Sequence, residues 1–203
     1  ARAMDDPTFI AVSGKGNFKT LEELVSASKK APLNWGVAQI GGTEHIGLAQ
    51  FAKEAGIKFK VVPFGSGAQM VQALMAGKID ATLPNVSEAA NQVADGSFKA
   101  LAVMAEDRLK DYPNVPSTYE KGIKAKCSTT RGYAVLASTP QPIIDQISKA
   151  MVKAMKHDVF ASYLAGAGLT VEASVAGTKV WDKHLKAEYK VAASALKELG
   201  LVK

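Results

Sequence analysis

Only one cysteine, Cys127, stands in the 203 residues, which excludes an internal disulfide and leaves the redox compartment open. Histidine is almost as scarce. His45, His157 and His184 lie far apart with no ligand spacing, so no metal site is expected. No apolar run comes near the roughly 20 residues of a membrane helix. The opening Ala1-Arg2-Ala3-Met4-Asp5-Asp6 lacks the basic-then-apolar order of a signal peptide, although a mature or trimmed chain would read the same way. Internal repeats and low-complexity segments are absent. So is any tight basic stripe interleaved with aromatics, which leaves nucleic acid out as a partner. The formal charge of +6 is moderate, and lysines such as Lys29, Lys53, Lys149 and Lys156 are scattered along helical stretches. They read as solvated faces, with at most a weak field favouring anions.

What is present is one pattern, used three times. An apolar, strand-like run ends in a small-residue turn, and a helix begins. Leu33–Ala38 leads into Gln39-Ile40-Gly41-Gly42-Thr43, Lys60–Pro63 into Phe64-Gly65-Ser66-Gly67, and Ile79–Leu83 into Pro84-Asn85. Alternating strands and helices predict an α/β fold with a parallel or mixed sheet. The three turns then share the edge at the carboxyl ends of the strands, where open α/β sheets bind ligands. Glycine turns that open helices present unpaired N–H groups and the positive end of the helix dipole. A small, anionic ligand is therefore expected, and no particular reaction.

Strands are predicted at Thr8–Ser13, Leu33–Ala38, Phe59–Pro63, Ile79–Leu83, Ala100–Met104, Gly132–Ala137 and Leu169–Glu172. Thr20/Glu23, Ser66/Gln69, Asn85/Glu88 and Ser117/Glu120 have capping-box spacing. Helices over 20–30, 43–55 and 67–76 meet stop signals at Pro32, Gly56 and Gly77. After about residue 105 the alternation fades into the proline-punctuated Asp111–Pro116, and beyond Pro142 the chain reads as mostly helical. Ile143, Ile147, Met151 and Met155 form one apolar stripe. Trp181, Leu185, Ala192, Leu196 and Leu199 form another. Both are expected to be core-facing.

Seven runs, in order and spacing, resemble the substrate-binding proteins of tripartite tricarboxylate transporters, the Bug or TctC family. They are Asn34-Trp35-Gly36, Gly41–Ile46, Val62–Ala68, Met75–Asp80, Leu101-Ala102-Val103, Pro113–Ser117 and Arg131-Gly132. The resemblance runs from about residue 8 to the carboxyl end. It implies a periplasmic binding protein of type II-like fold that takes a small carboxylate into the cleft between two domains and hands it to the transporter's membrane components. It further implies that 8–130 form one complete α/β domain, domain two. Residues 131–203 would then be the mostly helical C-terminal part of domain one, whose first half would need about one small domain more of chain. A chain lacking that half should expose its apolar stripes and self-associate. Val37 stands where many members have a small hydroxyl residue, and Pro84 where many have aspartate. Both departures point to a ligand with an uncharged or apolar body.

The candidate ligand-binding residues are Gly41, Gly42, Thr43, His45, Phe64, Gly65, Ser66, Gly67, Asn85 and Arg131. Each has a plainer reading beside it. Gly41 and Gly42 serve a turn needing positive φ. Thr43, Ser66 and Asn85 are helix caps, His45 is a packed structural histidine, and Arg131 is a surface arginine. As a ligand residue, Arg131 would clamp a carboxylate through paired N–H donors. Catalysis is not expected. Ser66 has its glycines as immediate neighbours, unlike a nucleophile elbow. His45 has no catalytic partner in view, Cys127 has no histidine in local reach, and no cofactor motif is complete. A ligand-sensing domain of a regulator, on the same fold, is the competing reading.

Overall fold

The computed structural model describes residues 1–202; Lys203, the last residue of the segment expected to belong to domain one, lies outside them. The chain opens with β1 (Arg2–Pro7) and β2 (Phe9–Ser13), then α1 (Leu21–Lys30), β3 (Leu33–Val37), α2 (Thr43–Ala55), β4 (Phe59–Pro63) and α3 (Gly67–Met75). It continues through β5 (Ala81–Thr82), α4 (Val86–Ala94), β6 (Phe98–Val103) and β7 (Ser128–Gly132). It ends in α5 (Gln141–Ala154), α6 (Asp158–Gly166), the short α7 (Val171–Ser174) and α8 (Thr178–Glu198).

Five strands form one sheet in the order β4-β3-β5-β2-β6. Strand β3 runs parallel to β4 and β5, whereas β2 is antiparallel to β5 and β6, so the sheet is mixed. Both faces are covered. Alternation along β2 sends Ile10 and Val12 into a cluster with Leu21, Leu24, Leu48 and Phe51 from α1 and α2. It sends Phe9 and Ala11 to the other side, against Met70, Leu74, Val86 and Leu164 from α3, α4 and α6. Local chemistry sets the helix ends. Thr20 and Glu23 close a reciprocal capping box on α1, and Gly56 ends α2 in the left-handed conformation.

Strands β1 and β7 form a separate antiparallel ribbon with Met4 opposite Arg131 and Asp6 opposite Thr129. The ribbon joins the sheet at one edge, where Thr8 donates its N–H to the Cys127 carbonyl and Phe9 donates to that of Pro84. Neither strand has an apolar alternation, and nothing in the sequence marks β1 as a strand.

Several expectations need correction. Residues 133–137 form no strand. Beyond the backbone pair of Tyr133 with Ala1 their apolar run finds no ladder partner among the described residues, and Tyr133, Val135 and Leu136 are exposed. Leu169–Glu172 is not a strand either, because Thr170 caps α7 there. The stripe on α5 is not core: the helix buries no residue, and Ile143 and Ile147 are exposed. Only Met155, just past its end, is buried. On α8, Trp181 is covered and stacks on His184, but Leu185 is exposed. Helix α8 leans on α2, where Lys53 meets Glu198 at 2.9 Å.

Candidate functional site

Because β3, β4 and β5 are parallel, the turns at 38–42, 64–66 and 83–85 emerge on one edge, as the sequence predicts. The first two are laced together: Phe64 donates its N–H to Val37 O at 3.0 Å, and Gly65 donates to Ala38 O at 2.8 Å. The third is held beside the ribbon by the isolated bridge between Thr8 and Asn85. The ribbon thus enters the sheet where the turns lie, bringing Asp6 and Arg131 to the same edge.

Each turn differs in what it leaves free. At the first, Gly41 sits at φ 76°, the left-handed region that a residue with a Cβ avoids. Its N–H goes to His45 Nδ1 at 3.0 Å, and the Gly42 N–H goes to Gln39 O at 3.1 Å. The cap of α2 is therefore Gly42, with Thr43 the first helical residue, so Thr43 is not the cap its chemistry suggested. The first-turn N–H groups of Thr43, Glu44 and His45 have no acceptor among the described residues. His45 is buried, and burial lowers its basicity; with Nδ1 accepting from Gly41, it acts as a brace for the turn. At the second turn Gly65 also takes positive φ, and Ser66 Oγ caps α3 by accepting from Gln69 N–H at 3.3 Å. The N–H groups of Ser66, Gly67 and Ala68 have no acceptor among the described residues.

The third turn is already occupied by the chain itself. Asp6, completely buried, accepts from Ser87 N–H at 3.2 Å and from Ser87 Oγ at 2.5 Å, at the start of α4. Asn85 makes no side-chain cap. It donates Nδ2–H to Asp6 O at 2.6 Å and accepts from Thr129 Oγ at 3.1 Å, tying α4 to both ribbon strands. Buried polar side chains are generally paired in this way. Arg131 Nη1 stands 3.5 Å from Asp6 Oδ2 and 3.0 Å from Met4 Sδ, with half of the side chain open to solvent. Burial raises the Asp6 carboxyl above its ordinary value, outweighing the pull of Ser87 and Arg131.

A second carboxylate was missed as a site residue. Glu88, on α4, lies against the first residue of α3: a methyl group placed on Gly67 would stand 2.8 Å from Glu88 Oε2. Burial raises its acid, and the charges of Glu44 and Asp6 raise it further, against the opposing pull of Asn85 N–H and Arg131. In sequence Glu88 reads as half of a capping box, so nothing local marked it as facing another helix. Cys127 is buried, and burial pushes its thiol up to about 12. A thiol so placed has little thiolate character.

Of the larger cavities, one lies away from the turns and the other adjoins the α2 start at Thr43. One of about 560 Å3 is on the opposite face of the ribbon, lined by Arg2, Asp5, Arg108 and His184 among others. One of about 510 Å3 lies between the α2 start, β7 and α8. Neither takes in Gly65–Gly67 or Arg131; those residues line an open edge.

The model of the tripartite tricarboxylate transporter family receptors, TctC, matches residues 2–201. The chain belongs to that family. Among curated TctC relatives, a UPF0065 protein of Bordetella pertussis is 26% identical over 166 residues, covering 80% of this chain and 51% of that protein. A TctC solute-binding protein from Polaromonas, solved without ligand, superposes with a TM-score of 0.86 at 26% identity, covering 97% of this chain and 68% of that one. Rpa4515 of R. palustris, solved with adipate, superposes at 0.79 with 20% identity, covering 98% and 67%. The mixed α/β architecture is thus that of periplasmic binding proteins of the TctC type. This TctC chain spans about half the length of the curated relatives it matches.

Proposed function

We propose that this chain belongs to a periplasmic solute receptor that captures a small carboxylate and delivers it to a tripartite tricarboxylate-type membrane transporter. The observation that supports the reading is the shared edge, where free first-turn amides open α2 and α3 and where the ribbon carrying Arg131 enters the sheet. Unpaired N–H groups at a helix start, with one half-exposed guanidinium, suit the oxygens of a carboxylate. Family membership supports the role, and the adipate bound by the R. palustris relative supports the ligand class.

On this reading residues 8–130 are domain two, the β1–β7 ribbon is the crossover, and 131–203 return into domain one. The ligand then sits in the cleft between domains, in contact with Gly41, Gly42, Thr43, Phe64, Gly65, Ser66, Gly67 and Arg131. His45 and Asn85, proposed as ligand residues from sequence, act one step back by holding the turn and the ribbon. The reading is of binding without chemistry: Ser66 caps α3, His45 braces a turn, and neither faces a proton-transfer partner. The test is mass spectrometry of small molecules released from the full-length protein purified from its own periplasm, followed by calorimetry with the compound found. Release of a carboxylic acid that rebinds with micromolar or better affinity is the expected result. A bound compound with no carboxylate would overturn the reading.

A further inference from the structure

We propose that this cleft is built for a ligand with a single carboxylate, and that Glu88 is the residue that excludes a second one. The inference rests on the reading of the shared edge as a carboxylate site and goes on to name which carboxylates it takes.

Three helices point their starts at the edge, and the chain's own acids already stand at two of them. At α4, Asp6 takes both the Ser87 N–H and the Ser87 hydroxyl, and it is fully buried, so no ligand oxygen reaches those donors. At α3, the Glu88 carboxylate lies against Gly67, at the residue whose amide would have to greet a second anionic group. Among the described residues, the start of α2 has free N–H groups and no acid bound to it from another element. Among the described residues Arg131 is the cation paired at this edge, and it is already shared with Asp6.

The charges that act on Glu88 come from Glu44 on α2, Asp6 on β1 and Arg131 on β7. Among the described residues three acids therefore stand with one base. One ligand carboxylate is accommodated by the α2 amides and by the open side of the Arg131 guanidinium. A second, reaching toward α3, meets Glu88 as a like charge at close quarters, where such juxtapositions are strongly unfavourable. An uncharged or cationic distal group meets no such penalty. Val37 and Pro84 are both buried, so the expectation that they shape the ligand body does not hold, and the selectivity rests on the charges alone. Exclusion by a built-in repulsive group is a common way to gain specificity.

The experiment is calorimetry on the full-length protein with matched series in which only the distal group changes. One series is adipate, hexanoate and 6-aminohexanoate. A shorter one is succinate, butanoate and 4-aminobutanoate, and an aromatic one is terephthalate and 4-methylbenzoate. In whichever series binds, the diacid is expected to be at least tenfold weaker than its uncharged counterpart, about 1.4 kcal/mol. Glu88→Gln, which keeps the shape and removes the charge, should narrow that ratio by about tenfold. Glu88→Ser, which also opens space over Gly67, should narrow it further. Diacids binding the parent as tightly as monoacids, or a ratio unmoved in both variants, would overturn the proposal and leave the carboxylate reading standing. Binding of no carboxylate from any series would overturn both.

Discussion

Asp6 is a buried charge held mainly by hydrogen bonds, and its replacement by alanine or asparagine should have different outcomes. In Asp6→Ala the Ser87 N–H and hydroxyl lose their acceptor at the start of α4. A lost helix cap and an orphaned hydroxyl together cost about 2–3 kcal/mol. The freed Arg131 adds little, because half of its side chain is in solvent and can hydrate. In Asp6→Asn an acceptor remains for Ser87 N–H, the hydroxyl can rotate to accept from the new amide, and a buried charge is removed. The cost should stay under about 1 kcal/mol. The pH dependence follows from the raised acid. The native carboxyl takes up a proton at a higher pH than the unfolded one, so the native state binds more protons in the window between the ordinary value, about 3.9, and the raised one. Stability from this group therefore falls as pH rises through that window. Relative to Asp6→Asn, the parent should gain stability as pH is lowered into the window. Urea unfolding of the full-length protein, followed through the buried Trp35, measures all three proteins across pH 4–7 as a rough range. Asparagine costing as much as alanine would refute the argument, as would a parent-to-asparagine difference that does not move with pH.

Arg131→Ala in the full-length protein should weaken carboxylate binding by about 1.5 kcal/mol, the low end for a charge-assisted bond given its exposure and its sharing with Asp6, or about tenfold in Kd; equal affinity by calorimetry removes it from the site. Gly47→Ala would put a methyl group 2.5 Å from Cys127 Sγ, and overpacking of about 1–3 kcal/mol should exceed the gain in helix propensity. Adding Cys127→Ala should restore most of that loss in thermal unfolding, and no recovery would show that the strain lies elsewhere. The 203-residue chain on its own, with Leu136, Ile143, Ile147 and Leu185 exposed, should self-associate or aggregate; a monomer in sedimentation at micromolar concentration would refute this.

Much of this protein is written locally. Strand β4 and helices α1, α2 and α3 are set by short apolar runs, by caps such as Thr20 and Ser66, and by glycine stops such as Gly56. All of these act within a few residues along the chain. Parallel strands then force the three turns to one edge, so the position of the candidate site was legible too. The ribbon was not. Arg2–Pro7 and Ser128–Gly132 are polar and without period, and they are strands only because each supplies the other's ladder from more than 120 residues away in sequence. Which helix starts stay open was likewise beyond the sequence. Asp6 fills α4 from another element and Glu88 leans on α3 across a turn, and neither spacing nor propensity encodes such pairings. The apolar stripe of α5 shows the converse limit. Its period specifies a helix with a greasy face, while burial of that face depends on a partner surface that these residues do not contain.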